Sequence, residues 1–274
     1  MKETATIILN RNLPQITDAL YENLERNNAK DTDIYVVESG SSKENLSRYC
    51  SFWASWEESL DNGLRYPRGF NFALTKLWEE GKFDQYEYFF LICNDSIFEN
   101  KPIIGKFAEI MKKHTRLGIL SPCSKRWGER KLFKDEDIKY FWHINHISWF
   151  VRRELIDAVR ELEEPTYMNF LYDGQNFRGY ECDVELIAKG YANDWAAGIT
   201  TEVEVEENEE ILKTEYTRMK TDEYHINRQK LVEEGRRWLR RKYGFNSRWT
   251  MQMYAKFFYD KFFEYYPELE KFKI

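Results

Sequence analysis

Short apolar runs alternate with amphipathic stretches through the first two hundred residues. Thr6-Ile7-Ile8-Leu9 predicts a short buried strand. Pro14 suits the first turn of a helix, where its missing N–H is harmless. Ile16, Ala19, Leu20 and Leu24 then recur at helical spacing to about Asn28. Asp33-Ile34-Tyr35-Val36-Val37 predicts a second strand, ended by the polar turn Glu38-Ser39-Gly40-Ser41-Ser42. Strand, helix and strand in that order predict a right-handed βαβ unit and a parallel sheet.

The pattern continues downstream. Gly69-Phe70-Asn71-Phe72-Ala73-Leu74 opens a helix to about Glu80. Tyr88 to Cys93 is a continuous apolar run, as in a strand buried on both faces. It stops at Asn94-Asp95-Ser96, where Asp95 also suits a helix N-cap. A helix follows to about Lys113, with Ile104, Phe107, Ala108 and Met111 on one side. Leu117 to Pro122 predicts another strand, and residues 124–140 a polar, mobile loop. Ile147–Val151 reads as a strand, Arg153–Leu162 as a helix, residues 163–180 as a Gly- and aromatic-rich connection, and Asp183–Lys189 as a short helix before Gly190. Residues 201–210 are strongly acidic, 222–242 form a charged helix, and 249–266 form a very aromatic one.

Composition narrows the class. The chain has 274 residues, 42% hydrophobic and 32% charged, which suits one large globular domain and excludes an integral membrane protein. A net charge of −6 is not the field of a nucleic-acid binder. No leader pattern and no apolar run of spanning length stand in the sequence, which predicts a cytoplasmic protein. Cys50, Cys93, Cys123 and Cys182 are scattered, with no CxxC pair, so reduced thiols are expected rather than a zinc site or disulfides.

In open parallel sheets ligands bind at the carboxyl ends of the strands. Three polar clusters fall there: Asn10-Arg11-Asn12, Glu38 to Ser42, and Asn94-Asp95-Ser96. Carboxylates at such ends can accept bonds from a ribose or base, hold a divalent cation on a diphosphate, or deprotonate a hydroxyl.

An ordered series of segments resembles the GT-A glycosyltransferases, in particular the large inverting family 2. Thr6 to Asn12 resembles that family's first strand and its Asn-Arg turn. Val37 to Ser42 is similar to its V-D-N-G-S turn, with Glu38 for the usual Asp. Gly69 to Ala73 resembles its Gly/Asn/Ala helix start, Leu91 to Ser96 its L-x-N-x-D segment, and Leu117 to Pro122 its G-x-x-x-P strand. Ser148 to Leu155 resembles the segment beneath its acceptor site, and Glu181 to Leu186 with Gly190-Tyr191 its E-D-x-D-L…G-Y segment. The series covers roughly residues 4–195 and fades beyond 200.

The resemblance implies an α/β GT-A fold with a mostly parallel central sheet flanked by helices and a helical C-terminal extension. The catalytic domain would cover 1–200, with a nucleotide-sugar-binding half over 1–122 and an acceptor half over 123–200. Residues 201–274 would form the acidic segment and extension. The implied activity is metal-dependent transfer of a sugar, with inversion, from a nucleoside diphosphate sugar to a hydroxyl acceptor (glycan, protein or lipid-linked) in glycan or polysaccharide synthesis. Leu9, Asn10, Arg11, Glu38, Arg68, Asn71 and Asn94 are the implied donor-binding residues. Asp95 and, further along, His225 are the implied Mn²⁺ or Mg²⁺ ligands, and Asp183 the implied general base, with Glu181 and Glu185 as rivals. The usual DxD pair is lost, because Cys93 and Asn94 precede Asp95.

Plainer readings stand beside these. Asp183 suits a helix start, and arginines are most often solvated. His143 and His146 are spaced like a metal pair but lack a third ligand, and are read as acceptor-site lining or plain structure. Arg236, Arg237, Arg240, Arg241 and Lys242 make a basic cluster, read either as a solvated face or as a site for a phosphorylated acceptor or an anionic membrane. The aromatic helix predicts packing on the catalytic domain, with a dimer or peripheral membrane contact as the sharper alternative. Two further functions compete: a non-catalytic binding module on the same fold, and a nucleotidyltransferase. The latter lacks its Gly-rich basic loop after the first strand. No P-loop, GxSxG or GxGxxG is present.

Overall fold

The computed structural model describes residues 2–134, 136–160 and 164–274. In chain order the elements are β1 (Thr4–Asn10), α1 (Pro14–Asn28), β2 (Thr32–Glu38), β3 (Cys50–Trp53), α2 (Glu57–Asn62), α3 (Arg65–Glu79), β4 (Tyr88–Cys93), β5 (Ser96–Ile97) and α4 (Ile104–Lys113). There follow β6 (Leu117–Ser124), β7 (Ile138–Tyr140), β8 (Ser148–Arg152), α5 (Arg153–Val159), α6 (Cys182–Ala192), β9 (Ala196–Glu207), α7 (Glu210–Thr214), α8 (Tyr224–Tyr243) and α9 (Arg248–Tyr265).

The strands form one sheet in the order β3-β2-β1-β4-β8-β6-β9-β5, with β7 on the far side of β9. β1 pairs in parallel with both β2 and β4, β2 with β3, and β6 with β9. Only β8, among the longer strands, runs against its neighbours β4 and β6. The sheet is therefore mostly parallel, as expected. Its inner strands are buried end to end: every residue of β1, and Tyr88 to Ile92 of β4, is covered by helices on both faces.

The expected α1 matches its bounds, because Pro14 sets the start and the apolar spacing the rest. α3 starts one turn before Gly69, with Pro67 in its first turn. The expected end of α5 at Leu162 lies outside the described residues. Two expectations need correction. Asp95 is no helix N-cap: it sits in a tight turn between β4 and β5, and the next helix begins only at Ile104. The polar stretch 124–140 is not all loop. It holds a 3-10 turn over Glu129–Leu132 and strand β7, which pairs with β9. The acidic stretch after Thr201 belongs to β9, which spans Ala196–Glu207. Val203 and Val205 face inward and are buried, while Glu202, Glu204 and Glu206 alternate with them toward solvent. This is the period-two pattern of a strand with one wet face.

The C-terminal helices pack on the sheet's helical layer. α9 lies against α6, where Tyr191 meets Tyr259 and Phe262 at ring-centroid distances of 5.4 and 5.3 Å. α8 joins them through Trp238 and Leu239, which pack with Val184 and Ala188 of α6. The two last helices thus brace the element that carries Asp183.

Candidate active site

A cavity of about 190 Å³ opens at the carboxyl ends of β1 and β4. Its lining comes from five places: Leu9, Asn10 and Arg11 at the end of β1; Ser39 after β2; Arg65 and Tyr66 at the start of α3; Cys93, Asn94 and Asp95 at the end of β4; and Met219, Thr221, Asp222 and Asn227 from the segment entering α8. The parallel sheet produces this convergence, since β1 and β4 end side by side, Leu9 level with Cys93.

Asn10 is the hub of the floor. Its Nδ2 donates to both carboxylate oxygens of Glu38, at 3.1 and 2.9 Å, while its Oδ1 accepts from Asn94 Nδ2 at 3.1 Å and from the Leu13 amide at 3.1 Å. Glu38 is fully buried and also takes the Ser47 amide at 2.7 Å. Burial raises its pKa, against the opposing pull of its hydrogen bonds. Its carboxylate is therefore spent on locking Asn10 and the turn after β2, and it does not line the cavity.

One wall is cationic. Arg11 donates to the carbonyls of Asn62 (2.6 Å) and Asp61 (3.0 Å), an approach that Gly63 permits, because a Cβ there would stand 2.3 Å from the guanidinium. Arg65 donates to Thr221 Oγ1 at 2.6 Å. It holds a left-handed backbone, φ +56°, a strain seen in non-glycine residues mainly at functional sites. The Nε atoms of Arg11 and Arg65 are both buried with no partner among the described residues. Burial lowers each guanidinium to about 10, and for Arg65 repulsion from Arg178 and Arg11 adds to the effect. Arg178 stands behind, tied to Asp222, Asn227 and Glu234. Buried donors without acceptors cost about 1–3 kcal/mol each. Their convergence on one cavity marks a place for an anion with several acceptor oxygens.

Asp95 lines the same cavity, and Glu207 lies near it outside the lining. Burial raises the Asp95 carboxyl to about 6. Burial and then Asp95 itself raise Glu207 to about 7. The two are brought together by the β5–β9 pairing, in which Ser96 faces Glu207 and the Asn208 amide donates to the Asp95 carbonyl at 2.8 Å. Neither carboxylate forms an ion pair among the described residues. No cluster of three or more His, Cys, Asp and Glu exists among the described residues. Two unneutralised carboxylates, both partly open, do fit a hard divalent cation that keeps waters and binds diphosphate oxygens for the rest of its shell. His225 does not join them: its side chain is 72% exposed and its nearest carboxylate is Glu223 at 3.6 Å. The segment that carries it reaches the cavity through Asp222 and Asn227 instead.

Arg68 and Asn71 point elsewhere. Arg68 donates to the Gly174 carbonyl at 2.7 Å and stacks over Phe177. Asn71 is fully buried. It accepts from the Leu171 and Tyr172 amides and donates to the Tyr167 and Tyr172 carbonyls. All four of its hydrogen-bonding positions are thus filled, and its work is to pin the 167–172 connection.

Tyr66 is the partition between this cavity and Asp183. Its hydroxyl lies 2.9 Å from the Gly179 carbonyl and 2.6 Å from Cys182 Sγ, beside Asp183. Gly179, at φ +80°, lets the ring in: a Cβ there would sit 2.4 Å from it. His146 stacks on Tyr66 at 5.4 Å and 13° and packs against Trp149 at 4.6 Å. Both His146 nitrogens, Tyr172 Oη and Trp149 Nε1 are buried without partners. Burial holds His146 neutral, lowered to about 3. Asp183, at the first turn of α6, is partly open and accepts from the Val184 amide at 2.9 Å. Burial raises it to about 6. Glu181 takes a left-handed backbone, φ +55°, and is raised to about 7, by burial first and then by Asp183. Gln252 of α9 donates to it at 3.3 Å. Glu185, the third acid of the segment, is buried and bound by Tyr243 and Lys242, so it is structural.

These shifts predict a pH effect. A carboxyl whose folded pKa is raised binds its proton more tightly in the native state, so stability falls as pH rises. For Asp183 and Glu181 the window runs from about 4, the unfolded value, to about 6 and 7. The melting temperature of the ligand-free protein should carry a component that falls from pH 5 to pH 8. Glu181→Gln should flatten it. An unchanged slope in that variant removes Glu181 as its source.

Sequence reasoning passed over Arg65, Tyr66, Arg178, Glu207, His146 as a stacked ring, and Tyr172. Only Glu207 carried a readable signal, the alternation of β9.

No family model matches the sequence and no curated protein matches it. The structure is similar to several solved ones. The mannosyltransferase PcManGT from Pyrobaculum calidifontis, in complex with GDP-Man and Mn²⁺, shares 13% identity over 87% of this chain and 64% of its own, at a TM-score of 0.52. TarS 1–349 of S. aureus in complex with UDP-GlcNAc shares 14% over 88% and 74%, at 0.50. GalNAc-T7 with UDP, GalNAc and Mn²⁺ shares 9% over 89% and 57%, at 0.55. The chain spans less than two thirds of the first and third of these. By this likeness, and by its own sheet order, the chain has the GT-A-like fold of nucleotide-sugar glycosyltransferases.

Proposed function

We propose that the protein is an inverting glycosyltransferase that moves a sugar from a nucleoside diphosphate sugar to a hydroxyl acceptor in glycan or polysaccharide synthesis. The observation that carries this reading is the pair of guanidinium side chains of Arg11 and Arg65, which line a cavity that also holds Asp95 on a GT-A-like fold. A diphosphate supplies the acceptor oxygens those donors lack. Leu9, Asn10 and Asn94 floor the donor site, with Asn10 oriented by Glu38. Asp95 and Glu207 would hold Mn²⁺ or Mg²⁺, which would supply neutralisation of charge on the departing diphosphate.

Asp183 takes the proton of the acceptor hydroxyl. The acceptor oxygen bonds to the anomeric carbon as the carbon–oxygen bond to the diphosphate breaks on the opposite face, and the electron pair leaves with the diphosphate against Arg11 and Arg65.

The test is a thermal-shift panel of UDP, GDP, dTDP and CDP, each with and without Mn²⁺, followed by the matching sugar nucleotides. One nucleotide should stabilise the protein. Arg65→Met should weaken its binding by about tenfold or more, the loss of a charged hydrogen bond. No shift with any nucleotide would sink the reading.

A further inference from the structure

The last two helices carry charge and exposure that the donor and acceptor sites leave unused. Residues 235–259 hold seven cationic side chains, five arginines and two lysines, and no carboxylate, in a chain whose net charge is −6. Lys242 is tied to Asp173 and Glu185, and Lys256 to Asp260. Arg236, Arg237, Arg240, Arg241 and Arg248 form no ion pair among the described residues. On α8 the first four lie on the exposed side, opposite the buried Gly235, Trp238 and Leu239.

α9 is apolar on two faces. One is buried through Met251, Ala255, Tyr259, Phe262 and Phe263. The other presents Trp249, Met253 and Phe257 at a spacing of four residues, 62%, 64% and 56% exposed. Tyr254 stacks with Tyr243 and Phe245 at the end of α8, so the apolar stripe is continuous with the arginine-bearing helix. Arg248 lies over Trp249 at 4.5 Å. A helix of a soluble domain normally covers one apolar stripe and leaves the other side polar. Here the uncovered stripe begins at Arg248, which lies over Trp249, and α8, which packs on the same helix, carries the other four arginines.

We propose that this α8–α9 surface docks on an anionic lipid bilayer, with Trp249, Met253 and Phe257 entering the interface and the arginines meeting acidic headgroups. The charge decides between occupants. A second copy of the chain would set arginine against arginine across a two-fold axis. A nucleic acid satisfies the arginines but leaves Met253 and Phe257 in water. An anionic bilayer satisfies both. On the transferase reading above, the docked helix also places Gln252, one residue from Met253, against Glu181 beside Asp183. The acceptor hydroxyl is then drawn from a lipid-linked molecule at the headgroup layer.

The experiment is co-sedimentation of the full chain with vesicles of phosphatidylcholine alone or with a third phosphatidylglycerol, without nucleotide. Binding is expected to the anionic vesicles only and to weaken with salt. Arg237→Ala with Arg241→Ala should lower it by about thirtyfold, at roughly 1 kcal/mol for each arginine. Met253→Ser with Phe257→Ser should lower it by about tenfold or more, with melting temperature unchanged in both variants. Absence of binding overturns the proposal, as does binding that loses nothing in the Met253/Phe257 variant. A tighter association with poly(U) than with vesicles, or a concentration-dependent dimer abolished by the same two substitutions, overturns it in favour of those partners. None of these outcomes bears on nucleotide binding. A failed nucleotide panel removes the acceptor corollary alone.

Discussion

Asp183→Asn should lower turnover by about 10²–10⁴-fold while leaving affinity for the nucleoside diphosphate essentially unchanged. The amide keeps the shape and the bond from the Val184 amide, but it cannot take a proton. The wild-type rate should rise with pH through about 6, where the Asp183 carboxyl ionises, and then level off. A second consequence separates this role from a structural one. Burial disfavours the charged form of Asp183, so the neutral amide should melt higher than the wild type at pH 8. A variant that loses turnover and gains stability fits a residue held ionised for chemistry. One that keeps its turnover moves the base to Glu181, whose carboxyl lies in the same electrostatic field.

Asp95→Asn should abolish the Mn²⁺-dependent part of nucleotide binding and lower kcat/KM by about a hundredfold or more, the equivalent of several kcal/mol of charge stabilisation. Glu207→Gln should do the same to a smaller degree, because Glu207 reaches the site from the last turn of β9 while Asp95 sits on the cavity wall. Both are read by titrating Mn²⁺ against nucleotide-induced stabilisation. His225→Ala serves as the control and should change neither, since that ring is exposed and bound only to Glu223. Metal dependence that survives Asp95→Asn would remove the carboxylate pair from the donor site.

Much of the architecture was legible. Pro14 with its apolar spacing, the uninterrupted run from Tyr88 to Cys93 and the Asn10 and Asp95 turns predict a parallel sheet with a crevice at its carboxyl end, because burial on two faces and turn chemistry are local properties of sequence. Direction was less so. β8 reads as a strand, yet nothing in Ser148–Val151 says that it runs against β4. The acidic run after Thr201 hid β9 because its charge outweighed the alternation of Val203 and Val205 to the eye.

The site divides in the same way. Sequence alone determined which chain ends meet at the crevice: Leu9 to Arg11, Asn94 and Asp95 arrive there because parallel strands end together. Only the tertiary structure decided how side chains are spent. Glu38 and Asn71 stand in family-like segments, but their hydrogen-bonding capacity is spent on Asn10 and the Ser47 amide and on the 167–172 connection, while Arg68 is turned to Gly174 and Glu58. Arg65 and Glu207 become site residues because a left-handed turn and a β5–β9 pairing deliver them. A residue's type fixes what it can bind. What it does bind depends on which groups share its burial, and those come from positions far apart in the chain.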